Sequence, residues 1–256
     1  MKNRVEIKAE ARQLLRGARV SPLLMTAVVL GIGFVLDRVV DLVENGSLLY
    51  TYTFHWDYLQ LLMRGDLYTL GALIDSIPEV TAVSSFFSVL VTLFTLVLNG
   101  GYYVYCMGIR QGLEMPCSTL AEGLGVAGKL IWCWVQITVR VFLWTLLFFI
   151  PGLVALYRYR FAFYNILTDS TLSAGDAIRL SCQQTMGIKG ALFVLDLSFL
   201  GWEILSAFTM GLLHIWLVPY QVVCDLAYFE DAQQRMGRAP YGGDVPPPAG
   251  GAPWEL

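Results

Sequence analysis

Three arginines, Arg140, Arg158 and Arg160, and two acids, Asp196 and Glu203, stand inside long apolar stretches of this 256-residue chain. A charge at the centre of a bilayer costs roughly 2.5–3.5 kcal/mol on insertion scales, so such residues face inward and find partners. Counted from the inner ends of their stretches, the arginines lie about eight to ten residues deep, Asp196 about six and Glu203 about thirteen. Asp196 and Glu203 are seven positions apart and share one helix face. Two kinds of chemistry fit this set. In one, ion pairs tie helices together and the remaining arginine snorkels to the interface. In the other, the surplus positive charge holds an anion, a lipid phosphate or a small anionic molecule, with Arg140, Arg158 and Arg160 as its donors and Asp196 and Glu203 as charge partners. The run Tyr157-Arg158-Tyr159-Arg160 also suits a position at the membrane interface.

Other patterns carry less. Gly123-Leu-Gly-Val-Ala-Gly128 has the spacing of a dinucleotide-binding turn, which requires a preceding strand. Between two apolar stretches it reads as a closely packed turn. Asn45-Gly-Ser47 reads as a turn. His55 and His214 stand far apart with no metal-ligand spacing, and the five cysteines are scattered without a C-x-x-C pair, as expected of buried small hydrophobes. No nucleophile motif or phosphate loop is present. The sequence proposes no catalytic residue, metal or cofactor, and a net charge of −3 offers nothing to nucleic acid.

The elements that must position these residues are set by composition. Hydrophobic residues make up 56% of the chain and charged ones 14%, where soluble domains carry about 25% charged. The apolar residues gather into runs of the length, about 20 residues, that crosses a hydrocarbon core. The expected fold is all-α, a polytopic transmembrane bundle of about six spans with short amphipathic interfacial helices. Residues 3–19 read as one such helix, opened by an Asn3/Glu6 capping box. Ile7, Ala11, Leu14, Leu15 and Ala18 lie on one face and Lys8, Arg12, Arg16 and Arg19 on the other, a design suited to an anionic membrane surface. Ser21-Pro22 starts the next helix.

Spans are expected at about 22–43, 82–109, 130–150, 152–168, 190–209 and 211–229. Asp37, Arg38 and Asp41 crowd the outer end of the first, and Asn99-Gly-Gly101 marks a kink or close-packing point in the second. Ser173 and Asp176 announce a short amphipathic helix to about 185. The domain scheme is a cytoplasmic helix over 1–21, a membrane domain over 22–230 and a disordered cytoplasmic tail over 231–256, rich in glycine and proline. Basic residues concentrate in cytoplasmic loops. With six spans, twelve fall inside and only Arg64 outside, which places both termini in the cytoplasm and the protein in the cell membrane.

The motifs Ile150-Pro-Gly-Leu-Val-Ala-Leu-Tyr157, Ser173-Ala-Gly-Asp-Ala-Ile-Arg-Leu-Ser181, Leu192-Phe-Val-Leu-Asp-Leu-Ser-Phe-Leu-Gly-Trp202 and Trp216-Leu-Val-Pro-Tyr220 carry a resemblance. The chain resembles the DUF975 family of uncharacterised bacterial integral membrane proteins. That resemblance implies a membrane architecture and brings no reaction. The function expected is that of an integral membrane protein that binds an anionic lipid or small anion within its bundle and holds or moves it; a membrane enzyme acting on lipid is a rival for which the sequence gives no nucleophile. The alternative is an accessory or scaffold subunit packing on another membrane protein through faces such as Gly31-Ile-Gly33 and Asn99-Gly-Gly101.

Overall fold

The computed structural model describes residues 4–18, 21–45, 82–113, 115–209 and 211–238. The expected Asn3 cap, Arg19, His55, Ser47, the 46–81 connection and the glycine-proline tail from 239 lie outside them. All regular structure among the described residues is helical. The helices are α1 (Arg4–Gly17), α2 (Pro22–Asn45), α3 (Ala82–Arg110), the short α4 (Glu122–Gly125) after a 3₁₀ turn at Cys117–Ala121, α5 (Ala127–Leu147), α6 (Phe149–Tyr159), α7 (Ala162–Thr168), α8 (Ala174–Gln184), α9 (Lys189–Phe208) and α10 (His214–Arg235).

Four stretches are long and apolar enough to cross a membrane: Pro22–Val43, Ser85–Arg110, Ala127–Leu147 and Lys189–Phe208. The expected span at 152–168 is instead two short helices that meet at Arg160 and Phe161, neither near 18 residues. The expected span at 211–229 is α10, which runs on to Arg235 and carries Asp225, Glu230 and Asp231.

The chain divides into two compact units, Met1–Val29 with Leu96–Leu256, and Leu30–Thr95. Within the second, Arg38 pairs with Asp41 one helical turn on and stacks over Phe34 at 5.4 Å, so charges crowding the end of an apolar helix neutralise one another locally.

The first unit holds the functional candidates. Its larger core joins Ile7 and Ala11 of α1, Met25 of α2, Tyr102, Tyr105 and Cys106 of α3, Phe161 and Tyr164, Leu192, Leu195 and Phe199 of α9, and Val223, Leu226 and Phe229 of α10. A second core joins Leu130 and Cys133 of α5 to Ala155, Ala162, Ile166, Ala177 and Ile178. The apolar face of α1 is thus committed to protein: Ile7 is 2% exposed and Ala11 fully buried. Cys106, Cys133 and Cys224 are buried as expected of small hydrophobes, but Cys117 is exposed.

Two hairpins follow from local chemistry. At Phe148 the backbone is extended (φ −159°, ψ 146°), which ends α5; Pro151 then sits in the first turn of α6, where its missing N–H costs nothing. A Cβ at Gly152 would fall 2.1 Å from Thr145 Oγ1, so glycine lets α6 lie close against α5. The second hairpin turns at Gly211, whose φ of +85° favours glycine and whose N–H reaches the Ser206 carbonyl at 2.9 Å. Both tips are bare of packing: Leu146, Phe149 and Ile150 are 73–75% exposed, and Phe208 is 83% exposed. Ser173 caps α8, its Oγ accepting from the Asp176 N–H at 3.2 Å, as the sequence predicts. Asn99-Gly-Gly101 is a close-packing point on an unbroken α3. A Cβ at Gly101 would meet the Leu120 carbonyl oxygen at 2.2 Å, and one at Gly123 the Val97 oxygen at 2.3 Å. The glycine-rich 123–128 stretch is accordingly a packed turn and helix start, preceded directly by the 3₁₀ turn at Cys117–Ala121.

Candidate functional site

Arg160 is positioned by a break in helical bonding. Ser181 on α8 donates its hydroxyl to the Arg158 carbonyl at 2.9 Å and accepts the Phe161 N–H at 3.1 Å, so a side chain supplies bonds that a continuous helix would have made itself. A buried amide pair, Asn165 with Gln184 at 2.9 Å in both directions, locks α7 onto α8 just beyond.

From that corner the Arg160 guanidinium reaches two carboxylates. Nη1 donates to Asp196 Oδ2 at 2.6 Å and Nη2 to Asp196 Oδ1 at 2.8 Å. Nε donates to Asp225 Oδ2 at 3.1 Å, and Nη2 to both Asp225 oxygens at 2.8 Å. Tyr157 adds its hydroxyl to Asp196 Oδ2 at 2.8 Å. The side chains are 23%, 37% and 13% exposed for Arg160, Asp196 and Asp225, so the pair with Asp225 is the more enclosed. The local balance is one cation between two anions, the reverse of a positive surplus.

The other expected residues are dispersed. Glu203 accepts from Gln221 Nε2 at 2.6 Å and stands 3.2 Å from His214 Nε2, while the Ser206 hydroxyl bonds His214 Nδ1. A serine, histidine and carboxylate in sequence invite comparison with a nucleophile relay. Ser206 is fully buried, however, with no face open to a substrate, and the set clasps the α9–α10 hairpin near its turn. Arg140 donates to Gln136 one turn back at 3.1 Å, and Arg158 is exposed; neither enters an ion pair among the described residues. A further cluster lies at Arg110. Arg110, its side chain 2% exposed, donates from Nε to Glu230 Oε1 at 2.5 Å, pairs with Glu10 at 3.3 Å and bonds the Val223 carbonyl at 3.2 Å, joining α3, α1 and α10.

Basic side chains without acids gather elsewhere. Lys8, Arg12 and Arg16 of α1 line one wall of a cleft of about 540 Å³, and Trp202, Leu213, Trp216 and Leu217 of the second hairpin line another. No group of three metal-ligating side chains occurs among the described residues.

Residues 125–236, which contain both hairpins and the Arg160 cluster, match the family described as protein of unknown function (DUF975). Over this segment the chain is similar to the DUF975 family. No curated protein and no solved structure matches the chain. The DUF975 segment holds Arg140, Arg158, Arg160, Asp196, Glu203, His214 and Asp225, while α1 and Arg110 precede it. Asp225 could have been found by the rule that singled out Asp196, since it too sits in an expected span; Arg110 and Glu230 stand at the ends of apolar runs, where charges are ordinary.

Proposed function

We propose that this DUF975-family chain is an integral membrane protein that binds an anionic lipid non-covalently. A difference in how its charges are partnered carries the reading. Asp196, Asp225, Glu203 and Glu230 each have a cationic or amide donor, whereas Lys8, Arg12, Arg16, Arg140 and Arg158 enter no ion pair among the described residues. Cations left without acids beside apolar surface suit a phosphate headgroup. The bare hairpin tips support burial in a bilayer, since exposed apolar patches of this kind mark membrane or partner contacts. In this reading the four membrane-length helices and the bare tips of both hairpins lie in the bilayer of the cell membrane, and Lys8, Arg12 and Arg16 meet its headgroups.

The test is thermal unfolding of the full chain in neutral detergent with added lipid. Phosphatidylglycerol is expected to raise the midpoint and phosphatidylcholine at equal mole fraction to leave it in place, because only a ligand that prefers the folded state stabilises it. Equal shifts from the two lipids would sink the reading.

A further inference from the structure

The cleft between α1 and the α9–α10 hairpin has two unlike walls. Lys8, Arg12 and Arg16 recur every fourth residue and so form one stripe along α1. Ile7 and Ala11 are packed in the core, so α1 is anchored by its apolar face and its basic stripe is left to the cleft. The anchoring is direct: the Tyr220 hydroxyl donates to the Lys8 carbonyl at 3.3 Å. Aromatic rings brace the cations in place of carboxylates. Lys8 Nζ lies 4.2 Å from the Phe199 ring centre, and the Arg12 guanidinium 5.6 Å from that of Tyr220.

The facing wall is apolar and bare. Trp202 is 54% exposed and Trp216 67%, and the apolar surface continues to Leu212 at 71% and Phe208 at 83%. Tryptophan ringed by cations on one side and hydrocarbon on the other is the composition of a headgroup boundary.

We propose that this cleft binds an anionic glycerophospholipid, its phosphate on Lys8, Arg12 and Arg16 and the upper part of an acyl chain against Trp202, Leu213 and Trp216. The assignment rests on the anionic-lipid reading above and adds the place. A cleft of about 540 Å³ is within the range of small-ligand sites and takes a headgroup with the first methylenes of one chain. A free phosphate would satisfy the basic wall alone and leave the tryptophans bare. A choline headgroup would bring its own cation against three others. Lys8 shows the demand for an anion: burial, and the nearby Arg4 and Arg12, push its ammonium below the ordinary lysine value.

Tryptophan quenching by brominated lipids tests the site on the full chain in neutral micelles. Brominated phosphatidylglycerol is expected to quench several-fold more than brominated phosphatidylcholine. The excess should vanish in Trp202→Phe/Trp216→Phe and in Arg12→Gln/Arg16→Gln, and persist in Arg12→Lys/Arg16→Lys and in Arg140→Gln/Arg158→Gln. The lysine variant shows that charge, and not folding, is at stake. Excess quenching kept by Arg12→Gln/Arg16→Gln and lost in Arg140→Gln/Arg158→Gln would overturn the site while leaving anionic-lipid binding intact. No excess in the wild type would overturn both. Displacement by millimolar inorganic phosphate would make the cleft a phosphate site and overturn the lipid assignment.

Discussion

Arg160 and Asp225 lie 65 positions apart and share three hydrogen bonds of 2.8–3.1 Å, while the same guanidinium forks onto Asp196. One side chain at the α6–α7 corner therefore fastens both arms of the α9–α10 hairpin. An arginine is suited to this because its planar donors address two carboxylates at once.

Removing the shared cation leaves two carboxylates facing each other. Arg160→Gln is expected to cost about 3 kcal/mol, the low end for breaking a buried pair because the cluster is partly open. Asp225→Asn should cost less, since Arg160 keeps Asp196, and Asp196→Asn least, since Asp196 is the most exposed of the three. Arg160→Gln/Asp225→Asn should lose less than the sum of its parts. Denaturant unfolding in micelles reads this order; additive losses would mean the three residues act independently.

Glycine spacing on α3 is a packing device. Gly101→Ala would drive a methyl into the Leu120 backbone, and overpacking of this kind costs about 1–3 kcal/mol. At Gly31 a Cβ meets nothing within 4 Å, and Gly31→Ala should gain up to about 1 kcal/mol from helix propensity. Unfolding midpoints of the two variants should move in opposite directions. A destabilised Gly31→Ala in protein extracted from its own membrane would instead show a partner packed on that face.

Ser173→Ala removes the acceptor for the Asp176 N–H and should cost about 1 kcal/mol. Ser173→Asn, another good cap, should recover most of the loss. Unfolding of the two variants side by side checks the cap, and equal loss in both would show that the hydroxyl acts otherwise.

What was legible in the sequence was local. The capping box at Ser173 and the break at Gly211 depend on neighbours a few residues away, and α8 and α9, which they bound, lie close to their expected limits, whereas α10 runs six residues past its expected end. Membrane-length apolar runs gave four helices of the right kind, because length and composition decide that property. Pairings across the chain were not legible. Nothing near Arg160 indicates that Asp225 would face it, or that Glu203 would turn to His214 and Gln221. The amphipathic pattern of α1 predicts a helix lying on an anionic membrane surface. The same pattern serves equally well for packing on α3 and α10, which is where Ile7 and Ala11 go. The Lys8–Arg12–Arg16 stripe was visible, but its aromatic wall comes from residues some two hundred positions away.

The Lys8 ammonium gives a pH signature. Its folded-state value lies below the ordinary 10.5, so the charged form is disfavoured in the folded protein and the penalty is fully present near neutrality. The contribution of Lys8 to the stability of lipid-free protein, read as the difference between wild type and Lys8→Met, should therefore rise as pH climbs towards 10.5, where the unfolded chain also releases its proton. Saturating phosphatidylglycerol should flatten that rise in the difference. Unfolding midpoints taken across the alkaline range decide this; an unchanged slope in Lys8→Met would remove Lys8 as its source.

Native mass spectrometry of the full chain, extracted gently from its own membrane, tests most directly whether the protein holds an anionic lipid. A defined anionic phospholipid adduct is expected on the wild type, surviving collision energies that strip zwitterionic lipids, and missing from a folded Lys8→Gln/Arg12→Gln/Arg16→Gln variant. A folded wild type that carries no lipid, or carries anionic and zwitterionic lipids alike, would contradict the account.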